Sequence, residues 1–389
     1  PDAETINVLH DQTVHLSRLV EDLRLLAVAD AGRLQLDLRP ERLDLVAEDA
    51  VAAFRPRAAE HRIGLAVVAP APAPLVQLDR TRMRQVIQNL VENALQGQKA
   101  EAVALITSDG FTRRGKPVAM KEIADEAVRA SPSVQHVVVQ RRMGASVPWT
   151  AGRDHWWEDL VARESAECPA EVTDAEDPHM LIYTSGTTGR PKGAVHVHGG
   201  FPIKGPMDMA YGFDVGERDV MFWLTDLGWM MGPWEIIGTL MLGATMVLYD
   251  GAIDYPGPDR LWEIAARHKV TVLGISPTAV RALMRFGDEL PRRHDLSSLR
   301  LLGATGEPWN PEPWMWYFEQ IGGRRCPIMN YTGGTEIAGG ILGCTVLHPQ
   351  KPMAFTAPVL GMDADVYDDA ARPVRGEVGE LVLRKPWPG

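Results

Sequence analysis

The stretch that decides the fold is HMLIYTSGTTGRPKG, residues 179–193, in which an apolar run passes directly into glycine and hydroxyl residues. The apolar part predicts a buried strand, and the rest predicts a loop. Such a loop at a strand end can wrap a polyphosphate with backbone N–H groups, because glycines let the chain approach closely. Its order differs from the Walker pattern, in which serine or threonine follows the lysine. The candidate phosphate-binding residues are Thr184, Ser185, Gly186, Thr187, Thr188, Gly189 and Lys192.

Strand-like and helix-like segments alternate on both sides of this loop. Runs such as HVVVQ (136–140) and VTVLGIS (270–276) predict strands, and PDRLWEIAARHKV (258–270) predicts a helix. This alternation is typical of an α/β fold with mainly parallel sheets flanked by helices. The most apolar run, IIGTLMLGATMVLY (236–249), is too short to span a bilayer, and we expect a core helix that leads into a strand.

Three later stretches strengthen the interpretation of the loop: GATGEPWNPEPW (303–314), NYTGGTEIAGG (330–340) and GEVGELVLRKPWPG (376–389). Together with the loop they resemble the adenylate-forming enzymes, and in particular the acetyl-CoA synthetase-like acyl-CoA synthetases. The resemblance implies a partial AMP-binding domain over residues 98–389 and a cytoplasmic ligase that uses ATP, Mg²⁺ and coenzyme A. In the implied reaction, a small carboxylic acid attacks the α-phosphorus of ATP, and the coenzyme A thiol then captures the acyl-adenylate.

The resemblance also assigns roles to single residues. It implies catalytic roles for Lys192, for Thr335 at the phosphates, and for Glu336 as the magnesium ligand. A carboxylate beside a triphosphate needs such a cation, because like charges repel each other. The nucleotide is expected along two further segments, with the residues Gly306, Glu307, Pro308, Asn330, Tyr331, Thr332 and Gly333. His196 follows the loop closely, but a lone histidine more often serves packing than chemistry.

Two departures from the family pattern concern the residues before Thr335. Many members place an aromatic ring that stacks on adenine where this chain has Thr332, with Tyr331 one position earlier, so the stacking partner stays open. Acetate-activating members carry tryptophan at the position of Gly333, where it closes the acyl pocket. We therefore expect an acid larger than acetate.

Residues 1–97 differ from the rest in composition. They contain no Lys, Cys, Trp or Tyr, and their 11 Arg stand against 14 Asp and Glu, whereas the remainder holds all 11 tryptophans. Apolar positions at heptad spacing from Ile6 to Ala27 predict a helix that packs on another helix. Further along, RLQLDLRP, IGLAVVA and PLVQLD predict strands, Asp44 is expected to cap a helix reaching about Glu60, and a helix is expected to follow Asp79.

This segment resembles the sensor histidine kinases. HLSRLVEDLRLLAVADAG resembles a dimerisation helix, over residues 1–35, and LDRTRMRQVIQNLVENAL resembles the N-box of an ATPase domain that begins within 36–97. The N-box resemblance implies Mg²⁺ at Asn93, beside Glu92 and Asn89. Because the phospho-accepting histidine context and the later Gly-rich motifs are missing, we expect a partial α+β kinase segment without kinase activity. The chain therefore looks chimeric.

The 389 residues lack several stretches of the ligase family: the start of the large domain, the ribose-binding Asp, and the C-terminal lid with its catalytic lysine. We therefore expect this chain alone to bind nucleotide weakly and not to turn over. Two alternatives stay open. One is a signalling protein whose synthetase-like part senses a ligand, and the other is a non-functional fusion or assembly artefact.

Charge and cysteine content narrow the class further. The net charge of −11 argues against a general nucleic-acid binder. The 3 cysteines lack the spacing of a zinc site, which favours reduced, buried thiols.

Overall fold

The computed structural model describes residues 39–52, 55, 67, 75–78, 80, 101–129, 131–184 and 192–387. The chain divides into two compact units, Pro1–Ala170 with Ser185–Lys192 and Glu171–Thr184 with Gly193–Gly389. The described elements of the first unit are β1 (Arg39–Arg42), α1 (Leu43–Ala52), β2 (Leu75–Leu78), β3 (Ala104–Ser108), β4 (Phe111–Arg113), β5 (Lys116–Val118), α2 (Met120–Arg129), β6 (His136–Gln140), β7 (Asp154–Trp156) and α3 (Trp157–Val161).

A small parallel sheet, in the order β3, β6, β7, forms the centre of the first unit. Val137 and Val139 of β6 are fully buried and pack with Val128 of α2. The amphipathic helix α2 also buries Lys121, whose ammonium lies 2.9 Å from the buried carboxylate of Asp154. Two antiparallel pairs, β1 with β2 and β4 with β5, complete the described part of this unit.

The second unit carries most of the regular structure. Its described elements are β8 (Pro178–Thr184), β9 (Lys192–Val197), α4 (Phe201–Gly212), β10 (Val220–Trp223), α5 (Met231–Met241), β11 (Thr245–Met246), α6 (Arg260–Arg267), β12 (Val272–Gly274), α7 (Pro277–Met284), α8 (Glu289–Arg292), β13 (Leu301–Ala304), α9 (Pro311–Trp316), a π-turn (Tyr317–Ile321), β14 (Ile328–Asn330), β15 (Thr332–Gly334), a 3₁₀ turn (Thr335–Ile337), β16 (Gly339–Gly343), β17 (Ala357–Pro358), β18 (Ala364–Tyr367) and β19 (Glu380–Leu383).

Five parallel strands, in the order β11, β10, β12, β13, β14, form the main sheet of this unit. Successive side chains of a strand enter opposite faces. Met221 and Trp223 therefore join one buried cluster, and Phe222 joins the other. Burial on both faces explains why these strands read as continuous apolar runs.

The expected α/β fold with parallel sheets is confirmed, and several segments are confirmed closely. HVVVQ forms β6 with the predicted bounds, and the run at 236–249 contains the end of α5 and the short β11. The strand expected at the end of this run is short, because β11 comprises only Thr245–Met246. It lies at the edge of the sheet and pairs with β10 alone, so ladder hydrogen bonds support it on one side only.

The N-terminal expectations are tested only where residues are described. PLVQLD contains β2, as predicted, and β2 pairs antiparallel with β1. The helix near Asp44 begins at Leu43, so Asp44 lies in its first turn and is not its cap. Its carboxylate instead accepts a hydrogen bond from Arg42 at 3.1 Å. The heptad helix, the strand IGLAVVA apart from residue 67, and the N-box helix with Asn89, Glu92 and Asn93 lie outside the described residues.

One buried carboxyl group gives the second unit a pH-dependent stability. Glu235 of α5 is 1% exposed and accepts a hydrogen bond from the Trp223 backbone N–H at 2.7 Å. Burial raises the pKa of Glu235 to about 8. A raised carboxyl pKa means that the folded state holds the proton more tightly than the unfolded chain does. This contribution to stability is complete below the ordinary Glu pKa, falls as pH rises, and is lost above about pH 8.

We therefore predict that Glu235→Gln flattens the pH dependence of unfolding. The free energy of unfolding at pH 9 should exceed that of the wild type by about 2–4 kcal/mol, with little difference at pH 5. Urea unfolding between pH 5 and 9 measures this. Glu217→Gln, a change at an exposed glutamate, serves as the control. Parallel pH profiles for the wild type and Glu235→Gln would show that Glu235 is ionised in the folded protein.

Candidate active site

The site forms where neighbouring parallel strands end. β13 pairs with β14 so that Ala304 lies opposite Asn330, and the Tyr331 N–H donates to the Ala304 carbonyl at 3.0 Å. The segments that follow these strands therefore leave the same edge of the sheet side by side. In α/β folds, ligands bind at the carboxyl ends of the strands. The structure thus brings together the segments 305–308 and 331–336, which the sequence placed in one site.

The loop after β13 exposes its main chain and ties down its acidic side chain. Gly306 has φ +92°, and a side chain at this position would enter open space. The Glu307 carboxylate accepts hydrogen bonds from Thr278 and, at 2.7 Å, from Arg281, both on α7. Arg281 thus pairs with this carboxylate, and the nucleotide contacts that the resemblance assigns to Gly306, Glu307 and Pro308 stay predictions.

The segment after β14 is a hairpin that carries the Thr-Glu pair at its turn. β15 and β16 are antiparallel, and the 3₁₀ turn between them contains Thr335 and Glu336. Ala338 closes the turn with φ +63°, in the left-handed region. Thr335 is half-buried and Glu336 is exposed. The turn therefore holds one carboxylate free to meet a cation.

Two residues expected to bind nucleotide have side chains that point into the core. Tyr331 is 3% exposed, its ring lies 5.5 Å from that of Phe213 and 5.7 Å from that of Trp234, and its hydroxyl donates to Asp208. Asn330 donates its amide to the Met353 carbonyl at 3.2 Å. The Tyr331 ring is therefore no stacking surface for adenine in this structure. The half-buried Thr332 remains at the position that the family fills with an aromatic ring.

Gly333 lies where the two strands of the hairpin almost touch. A Cβ atom at Gly333 would lie 1.9 Å from the Gly339 carbonyl oxygen, at a point where the pairing register shifts. No residue with a side chain fits this backbone, so tryptophan at this position would require a different hairpin.

His196 is a member of the site to which the sequence gave little weight. It is 3% exposed and packs its ring on Phe201 at 5.1 Å, and its Nε2 has no hydrogen-bond partner among the described residues. Burial lowers the pKa of His196, while the nearby Thr335 carbonyl and Glu336 carboxylate act to raise it. The only sequence signal was its position shortly after Lys192.

The phosphate loop itself is framed by two strands. β8 ends at Thr184 and pairs with β9, which begins at Lys192. Ser185, Gly186, Thr187, Thr188 and Gly189 lie outside the described residues, as do the side chains of Thr184 and Lys192.

Within the described ranges, no group of three or more His, Cys, Asp or Glu side chains could hold a metal ion. A single carboxylate at Glu336 still fits Mg²⁺, which substrate phosphates and one or two carboxylates commonly bind together. Cys326 and Cys344 are buried, as expected, whereas Cys168 is exposed. Among the residues that the structure describes, no helix is long and apolar enough to cross a membrane.

Comparison with known proteins matches residues 38–388 to the family described as AMP-binding enzyme. The acetyl-coenzyme A synthetase of Methanothrix thermoacetophila is 43% identical over 291 residues, which is 74% of this chain and 44% of that protein. The acetyl-coenzyme A synthetase of Rubrobacter xylanophilus is 40% identical over 345 residues, 88% of this chain and 52% of that protein. Among solved structures, the acetoacetyl-CoA synthetase from Streptomyces lividans matches with TM-score 0.70 and 28% identity, and the match covers 89% of this chain and 55% of that one.

The chain thus spans about half the length of the relatives it matches. The family match begins at residue 38 and includes residues 38–97, which resemble histidine kinases. The Rubrobacter alignment must also enter residues 1–97, because it covers 88% of the chain and residues 98–389 are only 292 of 389. These comparisons favour one family on both sides of the boundary expected at residue 97 and give no support to a kinase fragment or a chimera.

Proposed function

Because this chain belongs to the family of AMP-binding enzymes, we propose that it forms part of an acyl-CoA synthetase that uses ATP, Mg²⁺ and coenzyme A. A carboxylate oxygen of the acid attacks the α-phosphorus of ATP, and the bond to pyrophosphate breaks. The thiolate sulfur of coenzyme A then attacks the acyl carbon, and AMP leaves. The observation that carries this proposal is the adjacency of segments 305–308 and 332–336 at the carboxyl edge of the main sheet.

The described residues suit nucleotide binding and compensation of the phosphate charge. The main chain around Gly306 is open to a flat ligand, and the nearby Glu307 carboxylate is already paired with Arg281. Thr335 presents a hydroxyl beside Glu336, which would hold the magnesium that offsets the phosphate charge. Such sites accelerate phosphoryl transfer mainly by positioning and electrostatic stabilisation. Lys192 and the hydroxyls of residues 184–188 stay candidates for the phosphate contacts.

The acid substrate is proposed to be larger than acetate. The relatives named above include synthetases of acetyl-CoA and of acetoacetyl-CoA. Gly333 replaces the tryptophan that is expected in acetate-activating members, and the close β15–β16 pairing leaves no room for any side chain there. An acyl pocket without this wall can accept a longer or branched acid.

Acid-dependent exchange between pyrophosphate and ATP tests both proposals with the full-length protein. We predict that kcat/KM for a four-carbon acid such as butyrate or acetoacetate exceeds that for acetate by at least about 10-fold, the discrimination that one or two methylenes give in an apolar pocket. Absence of exchange with every acid in a panel from acetate to benzoate would contradict the synthetase function. A preference for acetate would contradict only the larger pocket.

The histidine-kinase resemblance of residues 1–97 stays a hypothesis about that segment alone. Two separate loci for residues 1–97 and 98–389 would show an assembly artefact, whereas a kinase remnant joined to the ligase part would be encoded in one gene. Sequencing genomic DNA across codons 90–105 therefore tests for the artefact.

A further inference from the structure

A fully buried ion pair lies within helix α4. Lys204 and Asp208 are four residues apart, so they share one helix face, and they are 0% and 1% exposed. The Lys204 ammonium donates to the Asp208 carboxylate at 2.5 Å. Buried ion pairs rarely add stability over apolar packing, because desolvation offsets their attraction. The contacts that this pair makes therefore call for another explanation.

Both members of the pair bind the main chain of the same hairpin residue, Gly340. The Gly340 N–H donates to Asp208 at 2.9 Å, and Lys204 donates to the Gly340 carbonyl at 3.1 Å. Asp208 also accepts the Tyr331 hydroxyl. We call these four residues, Lys204, Asp208, Tyr331 and Gly340, the clamp. Tyr331 precedes β15, and Gly340 lies in β16 opposite Gly333, so the clamp holds the hairpin on both sides of its turn.

Neither Gly339 nor Gly340 can carry a side chain where the hairpin packs against the clamp. A Cβ atom at Gly339 would lie 2.4 Å from the Asp208 carboxylate, and one at Gly340 would lie 2.2 Å from the Tyr331 ring. The backbone between Tyr331 and Gly340 is thus fixed at both ends, and its turn carries Thr335 and Glu336.

We propose that the clamp positions Glu336 and Thr335 for the magnesium-nucleotide complex, so that Lys204, Asp208 and Tyr331 are positioning residues of the reaction. This inference rests on the proposed function. The charges of the pair match both the N–H and the carbonyl of Gly340, which apolar residues cannot do. The clamp therefore fixes where the Glu336 carboxylate stands without touching the substrate.

The test compares Asp208→Asn with Asp219→Asn in the full-length protein. Asp219 is also a buried carboxylate, paired with Arg300 at 2.7 Å, but it stands before β10 at the opposite edge of the same sheet. Pyrophosphate exchange is measured against Mg²⁺ and against the acid, and hydrogen exchange is followed in peptides covering 338–343. Tyr331→Phe, which removes one hydrogen bond and keeps the ring, provides a milder variant if Asp208→Asn fails to fold.

We expect Asp208→Asn to raise the Mg²⁺ concentration for half-maximal rate by about 10-fold or more, as loss of a group that orients a metal ligand does. KM for the acid should stay within about twofold, and amide exchange of the hairpin should accelerate. Tyr331→Phe should change the same quantities by about threefold. Asp219→Asn should leave the Mg²⁺ dependence unchanged at a comparable loss of melting temperature.

The inference would be overturned if Asp208→Asn and Asp219→Asn needed the same Mg²⁺ concentration for half-maximal rate. It would also be overturned if Asp208→Asn raised this Mg²⁺ concentration and KM for the acid by the same factor. If wild-type protein shows no exchange at all, the proposed function fails. The amide exchange of the hairpin then still reports on the clamp, and unchanged protection in Asp208→Asn would refute it separately.

Discussion

Replacement of Glu336 by Gln is expected to lower acid-dependent pyrophosphate exchange by about 10²–10³-fold, the loss seen when one group that stabilises transition-state charge is removed. Glu336 is exposed at the tip of the β15–β16 hairpin. The structure gives its side chain no hydrogen bond or ion pair among the described residues. Its carboxylate is therefore available to a cation, and its loss removes charge compensation for the phosphates.

The same exposure predicts a small effect on folding. Surface substitutions away from special features usually change stability by about 0.5 kcal/mol or less. Glu336→Gln should therefore melt close to the wild-type temperature, and its activity should recover partly in high Mg²⁺. Glu377→Gln, at an exposed glutamate between β18 and β19, is the matched control and should retain full exchange. Retention of wild-type activity by Glu336→Gln would remove Glu336 from the proposed magnesium site.

The largest effect on stability is expected for Gly274→Ala. Trp223 of β10 lies across Gly274 of β12 and Gly303 of β13, and a Cβ atom on these glycines would lie 2.1 Å and 2.5 Å from its ring. All three positions belong to the centre of the main sheet, where the backbone cannot shift without breaking ladder hydrogen bonds. Overpacking of a well-packed core costs about 1–3 kcal/mol and sometimes more. We expect about 3 kcal/mol for Gly274→Ala.

A double-mutant cycle separates overpacking from backbone effects. Trp223→Leu alone should be destabilising, because it leaves a cavity. In the double variant Gly274→Ala/Trp223→Leu, the added methyl enters that cavity. The loss of unfolding free energy in the double variant should therefore be smaller than the sum of the losses in the two single variants by about 1–2 kcal/mol. Urea unfolding measures all four proteins. Strict additivity would show that the Trp223 ring does not set the size limit at Gly274.

The sheet could be predicted because it follows from local patterns, whereas the candidate site was placed by the family resemblance and stays a prediction. β6 was predicted with its bounds, since HVVVQ is β-branched and bounded by polar residues. The resemblance assigned both 303–314 and 330–340 to the nucleotide, and the pairing of β13 with β14 explains why these segments begin side by side. A motif, however, does not say which face a side chain takes. Tyr331 was expected near adenine, but its hydroxyl is bound by Asp208, a residue 123 positions earlier.

The clamp could not be predicted for a related reason. Lys204 and Asp208 look like the solvated face of a helix, since charged residues at a spacing of four are most often exposed. Their burial depends on the hairpin packed against α4, which is distant in sequence. The orphaned Nε2 of His196 is a similar case, because burial and the position of Glu336 are known only once the chain is folded.

The contact between Gly333 and Gly339 also limits which substitutions this chain tolerates. A Cβ atom at Gly333 would lie 1.9 Å from the Gly339 carbonyl oxygen, which is a severe steric clash. All nineteen other amino acids carry a Cβ atom, so every single replacement at Gly333 produces this clash. Under the proposed function, exchange of the single residue Gly333 is therefore no route to a different acyl preference. A side chain at this position requires at least one coordinated change that moves β15 relative to β16, such as an insertion or deletion in the hairpin. Saturation libraries at Gly333 should return glycine alone among folded, active variants.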